Sequence, residues 1–221
     1  MTIIINYITP VAPVAPLSGM NYGLLKAAIA NRLGRANLAA IIPSLCALAE
    51  ARIYHGFRDI EVQVAPLRIA AMIAVETVSL ATLPARYLET SRFTVPGSPS
   101  PRALSYLTPE QFASLPASGI ARHYTFQDGG IKVEGGAPSE FTFSYYRRFA
   151  PLVADADTNW LLDNHPAIYL YSALIEAYAH AKDDARIPTA TRMYAAAVNG
   201  LIESEMSARY SGSTLSMPSA R

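Results

Sequence analysis

The sequence predicts an α+β fold: a four-helix body drawn from both chain ends, with an antiparallel β sandwich or barrel-like unit inserted between the helical pairs. Three observations predict it. Helix-spaced apolar residues fill residues 22–57 and return at residues 166–208, with strand-length runs and turn residues between them. Neither helical pair alone makes a good core, so the two are expected to share one. The most apolar helix, residues 166–181, carries two adjacent stripes, Ile168/Tyr171/Ile175/Tyr178 and Leu170/Leu174/Ala177/Ala181, where a surface helix carries one. Burial on a second side must come from other helices, from another copy of the chain, or from both. The expected divisions are an arm (1–18), a helical body (19–60 plus 152–208), a β-rich insert (61–151) and a tail (209–221).

The arm places Pro10, Pro13 and Pro16 at every third position, which suits polyproline II and forbids a helix. Its aliphatic residues suggest an arm laid on a neighbour as readily as a loose tail. Leu24, Leu25, Ala28, Ile29 and Leu33 predict a short helix that Gly34 ends. Asn37 is the expected cap of a second helix over 38–57, in which Pro43 imposes a kink or a fresh start. Glu50, Arg52 and Arg58 are expected on its solvated side or in an interface.

Beyond Glu61 the period shortens. Strands are expected at 67–75, 77–80, 92–95, 102–106, 123–127, 130–134 and 141–147. Asp128-Gly129-Gly130 is a hairpin turn, residues 96–101 and 135–138 are loops, and Thr108-Pro109 starts a helical turn. Asp163, Asn164 or His165 should cap the helix that opens with Pro166. A last helix, roughly 189–208, follows Pro188, with Gly200 in its interior, and a Ser-rich tail ends the chain.

Composition excludes several classes. The 221 residues are 16% charged and 51% hydrophobic, which argues against disorder. A net charge of +1 and pI near 7.9 give no global case for nucleic-acid binding. A single cysteine, Cys46, permits no intrachain disulfide and reads as a buried small hydrophobe. No apolar run reaches the ~20 residues of a membrane span, and the N-terminus lacks the basic start of a signal peptide. These point to a protein folded in a reducing cytoplasm.

No catalytic, cofactor-binding or metal-binding residue is assigned. The four histidines lack helix metal-site spacing, and Asp155, Asp157, Asp163, Asp183 and Asp184 flank helix starts where capping explains them. Phosphate-binding glycine loops and nucleophile elbows are absent. Tyr145-Tyr-Arg-Arg-Phe149 mixes aromatic and basic residues as some single-strand nucleic-acid sites do, but near-zero charge favours a strand edge meeting a partner.

Leu25-Lys-Ala-Ala-Ile-Ala-Asn-Arg-Leu33, Ile42-Pro43 and Leu48-Ala-Glu-Ala-Arg-Ile53 together resemble the N-terminal half of tailed-phage head–tail adaptor (connector) proteins. Leu83-Pro-Ala-Arg-Tyr-Leu-Glu89 and Leu104-Ser-Tyr-Leu-Thr-Pro-Glu110 are similar to that family's middle region. Thr158-Asn-Trp-Leu-Leu162, the run from His165 to Tyr178 and Lys182-Asp-Asp-Ala-Arg-Ile187 match its most recognisable block. The similarity covers roughly residues 20–207. Departures are the arm, the tail, and Thr189-Ala-Thr-Arg192 where an aromatic is usual.

The resemblance implies a non-enzymatic ring, usually of twelve copies, under the portal vertex. Such a ring joins portal protein to a tail or nozzle protein and passes genomic DNA without reading its sequence. It gives Ile168, Tyr171, Ile175 and Tyr178 a use in packing against the next protomer. It makes the C-terminal segment, with Tyr210, Leu215, Met217 and Arg221, the candidate portal-binding tail. Arg32, Arg35, Arg52, Arg58 and above all Arg147 and Arg148 become candidates to face the channel. Rival readings are another neck protein, such as a stopper or tail terminator, and an enzyme with its site at a chain interface.

Overall fold

The computed structural model describes residues 19–34, 40–58, 62–78, 83–96, 101–116, 119–135 and 140–210. In chain order the elements are α1 (Tyr22–Leu33), α2 (Ile42–His55), β1 (Phe57–Arg58), β2 (Gln63–Val64), a 3-10 turn (Ala70–Met72), β3 (Ile73–Val78) and β4 (Tyr87–Val95). There follow β5 (Arg102–Ala103), β6 (Ser105–Tyr106), α3 (Pro109–Ala113), β7 (His123–Gln127), β8 (Gly130–Val133) and β9 (Phe141–Arg147). The chain closes with α4 (Trp160–Asn164), α5 (Pro166–Ala181) and α6 (Ile187–Tyr210). The fold is mixed α+β, with helices from both ends and an antiparallel β unit inserted between them. The arm, the tail beyond Tyr210, Asn37, Arg35 and the loop tips at 97–100 and 136–139 lie outside the described residues.

Helix α5 is the hub: α1, α2, α4 and α6 all pack on it. Its entry differs from the expected single capped start. Asn159 accepts from the Leu162 N–H at 3.0 Å and caps the short α4 instead. The chain then breaks at His165, because the residue before a proline is pushed out of the helical region. At the other end Lys182 takes a left-handed conformation (φ 56°), and the Asp183 N–H donates to the Tyr178 carbonyl at 2.9 Å. That closes α5 with a Schellman motif on a lysine. Helix α2 begins at Ile42, later than expected, with Pro43 in its first turn: the fresh start rather than the kink.

The two chain ends are joined at α1. Asn21 accepts from the Leu24 N–H, while the Tyr22 and Gly23 N–H groups donate to the carbonyls of Asp157 and Asp155, both at 2.9 Å. The loop before α4 thus caps the first helix. Lys26 adds an ion pair to the Asp155 carboxylate, and the Asp157 carboxylate holds the N–H groups of Ala154 and Val153. Those bonds, Ala154 first, hold the Asp157 carboxyl below its usual range.

The insert is two facing sheets. One has the order β3-β9-β4-β5 and the other β6-β7-β8. Phe93, Phe141, Phe143 and Tyr145 of the first meet Tyr124 and Ile131 of the second in an aromatic core separate from the helical one. Phe93 touches Tyr124 edge-on at 5.1 Å, a geometry that aromatic quadrupoles favour. Both sheets stay open, so the barrel alternative is corrected. Residues 102–106 also prove not to be one strand. Val95 pairs with Arg102 and His123 with Ser105, so the chain passes from one sheet to the other at the buried Leu104. The β6–β7 pair is parallel, against the antiparallel expectation, because the connection between them carries α3 and returns the chain in the same sense.

Candidate assembly surfaces

Helix geometry sorts the four predicted packing residues into two pairs. At 3.6 residues per turn Ile168 and Ile175 lie nearly in line, while Tyr171 and Tyr178 sit roughly 60–80° round the axis. Within the single chain Ile168 is 0% and Ile175 3% exposed, buried in the shared helical core. Leu170, Leu174 and Ala177 of the second stripe are buried there as well. The protomer's own helices therefore cover the two isoleucines of the first stripe and most of the second. Tyr171 and Tyr178 alone of the four reach the surface, half-buried at the rim of that core.

There the two tyrosines line a groove between the end of α1, the outer edge of α5 and the start of α6, with Ala190 and Met193 on its far side. Each ring carries a guanidinium. Arg32 sits 5.3 Å from the Tyr171 centroid and Arg186 5.8 Å from that of Tyr178. Met193 is 49% exposed. Apolar floor, phenol rings and arginines are the side chains that interfaces favour. The stripe on α5 was a signal for the tyrosines. The arginines came from α1 and from the residue before α6, and no spacing rule links those to α5.

The predicted channel-facing arginines divide too. Arg147 and Arg148 are exposed at the end of β9. Arg148 also lies over the Tyr54 ring at 5.7 Å, and its N–H donates to the Arg86 carbonyl. Arg52 is committed elsewhere. Its Nε donates to Glu176 at 3.0 Å with a second, shorter bond from Nη2, and its guanidinium stacks on Phe57 at 4.2 Å. Arg58 is exposed. Of the tail residues Tyr210 ends α6, while Leu215, Met217 and Arg221 lie outside the described residues.

Three titratable groups of the kind that chemistry uses have local partners. His123 bonds Glu134 at 2.6 Å, His165 lies against Trp160, and Asp163 accepts from Thr158. Among the described residues no group of three or more His, Cys, Asp or Glu side chains is placed to hold a metal ion. Burial pushes the Cys46 thiol up to about 11, with Tyr22 hydrogen-bonded to it, so it stays a protonated small hydrophobe at neutral pH. No helix of the described residues is long and apolar enough to cross a membrane.

Residues 20–218 match the model of a protein family described as SU10 adaptor protein, a phage head–tail adaptor family. The chain belongs to that family. No curated protein matches it. The adaptor match runs further than the resemblance read from motifs, through most of the tail, and it leaves the proline-rich arm outside. An adaptor of this family is a structural connector at the head–tail junction of the virion, without enzymatic activity, that works by contact with portal and tail components.

Proposed function

We propose that this adaptor, made in the cytoplasm of the host bacterium, assembles head to tail into a ring of twelve copies. The ring docks under the portal, offers its other face to a tail or nozzle protein and continues the DNA channel. The observation that carries the ring is the Arg32/Tyr171/Tyr178/Arg186 groove: a concave patch on one side of the protomer calls for a different, complementary surface on the next, and such heterologous contacts make a ring where the rotation between copies closes. The helical body counts against the stopper or terminator reading, which would not need it.

Arg147 and Arg148 are the proposed channel-facing residues. Their exposure at one end of the β unit supports this, and the net charge of +1 suits a conduit that must not grip the phosphates sliding through. The tail from Tyr210 through Leu215, Met217 and Arg221 is the proposed portal contact, ordering on assembly. Electron microscopy of the protein mixed with its portal tests the whole reading. A ring below the portal with a countable symmetry is expected; particles in which the portal stays bare would sink it. Removing residues 209–221 should leave the melting curve unchanged and weaken portal attachment.

A further inference from the structure

The N-terminal arm, which lies outside the family match, has a chemistry that fits the tyrosine groove. Residues 1–18 contain no charged side chain and place Pro10, Pro13 and Pro16 in register with a polyproline II turn. At about 3.1 Å per residue successive prolines stand about 9 Å apart. Tyr171 and Tyr178 are two helical turns apart on α5, about 10.5 Å along its axis. Polyproline II has no internal hydrogen bonds, so its carbonyls are free acceptors, and the groove is flanked by two guanidinium donors, Arg32 and Arg186. Aromatic-lined grooves bind proline ladders on these terms. Val11, Val14 and Leu17 supply apolar side chains for the floor at Ala190 and Met193.

We propose that the proline ladder of one protomer occupies the Tyr171/Tyr178 groove of a second copy. The described chain begins at Gly19, packed against Asp163 at the start of α1, whereas Arg32 marks the groove at that helix's other end. A protomer filling its own groove would have to double back along α1, about 18 Å, with only Leu17 and Ser18 between Pro16 and Gly19 in which to turn. A neighbour's arm, with a reach of about 55 Å when extended, meets no such constraint. This strap rests on the ring reading for its second copy, and adds which segment closes the contact.

The wild-type chain has one cysteine, buried, so single-cysteine cross-linking is clean. Full-length Val14→Cys and Met193→Cys variants are mixed and oxidised, with Leu48→Cys, exposed on α2, replacing the groove variant as control. Mixed singles can only link between copies. The expected result is a covalent dimer in about tenfold higher yield than with the control, because docking raises the effective concentration of the pair. Tyr178→Ala in the Met193→Cys background should cut that yield at least about fivefold while the melting curve holds. A yield equal to the control overturns the proposal. So does a link that forms only when both cysteines are in one chain. Particle mass is read on the same samples. Ring-sized particles without the link remove the strap and leave the ring, whereas the link without ring-sized particles keeps the strap and removes the ring.

Discussion

Asn159 and Tyr169 meet side chain to side chain at 3.0 Å inside the helical body. The Asn159 amide donates to the phenol oxygen and also to the Ala150 carbonyl, while Tyr169 donates onward to Glu50 at 3.2 Å. Nearby, the Tyr54 hydroxyl accepts from the Phe149 N–H at 3.0 Å. These bonds link the point where the chain leaves the β unit to α2, α4 and α5. Tyr169→Phe removes the donor to a largely buried carboxylate and is expected to cost about 1–3 kcal/mol. Asn159→Ala should cost more, since it also uncaps α4. Urea denaturation of both singles and the double gives the test. Because both act in one network, the double should fall short of the sum of the singles; simple additivity would show that the network is not cooperative.

Glu50 supplies a pH prediction. Burial raises its carboxyl above the usual range, outweighing the Tyr169 hydrogen bond and the nearby Arg148. A raised folded-state value means that Glu50 favours folding fully below its unfolded value, about 4.3, and that this contribution is lost as pH rises through the folded value. Gln at this position still accepts from Tyr169 and never ionises. Glu50→Gln should therefore melt higher than wild type at pH 7.5, and the gap should close on acidification to about pH 4. Carboxylates such as Asp157, whose range is lowered, weaken both proteins in acid alike, so the difference between the two curves is the readout. A gap that widened in acid would refute the assignment.

Two glycines with positive φ should respond differently to alanine. Gly34, at φ 62°, faces open space, so Gly34→Ala carries only the left-handed penalty of about 1 kcal/mol. Gly56, at φ 77°, leads from α2 into β1, and a Cβ there would stand 2.8 Å from the Val64 carbonyl and 2.9 Å from Pro66. Both obstacles are backbone or ring atoms that cannot swing aside. Gly56→Ala should lower stability by at least about 2 kcal/mol more than Gly34→Ala, as read from chemical denaturation midpoints.

Some periodic signals in the sequence translated into structure, but the strands expected at 67–75, 77–80 and 92–95 did not keep their bounds: Ala70–Met72 form a 3-10 turn, β3 is one strand over Ile73–Val78 and β4 starts already at Tyr87. Phe141-Thr-Phe-Ser-Tyr alternates inward and outward as its letters suggest, and Asp128-Gly129 forms its turn with φ of 56° and 73°. Thr108 makes the expected cap, and with Gln111 it completes a capping box. The β1–β2 ladder was invisible because two-residue strands have no period. The sheet change at Leu104 was invisible because a strand's letters do not name its partner. The second stripe on α5 was read correctly as apolar, but only packing could reveal that Leu170 and Leu174 lie in the protomer's own helical core. The groove was half legible for the same reason: one helix supplies its tyrosines and two distant segments supply its arginines.

The distinction between stripe and groove yields the sharpest pair of variants. Ile175 is enclosed by the protomer's own helices, so Ile175→Asp would bury an unpaired carboxylate at a site shaped for a branched aliphatic side chain. That change should abolish a cooperative melt in the isolated chain, and its effect on assembly then follows from unfolding. Tyr171 is half-exposed and covered on one side by Arg32, so Tyr171→Glu can turn its carboxylate toward that guanidinium and solvent. It should leave the melt within about 1 kcal/mol of wild type while stopping ring-sized particles from forming. Calorimetry and particle mass on the same two samples separate the cases. If Ile175→Asp folds, the helical core has been drawn wrongly. If Tyr171→Glu still assembles, the groove is not where protomers meet.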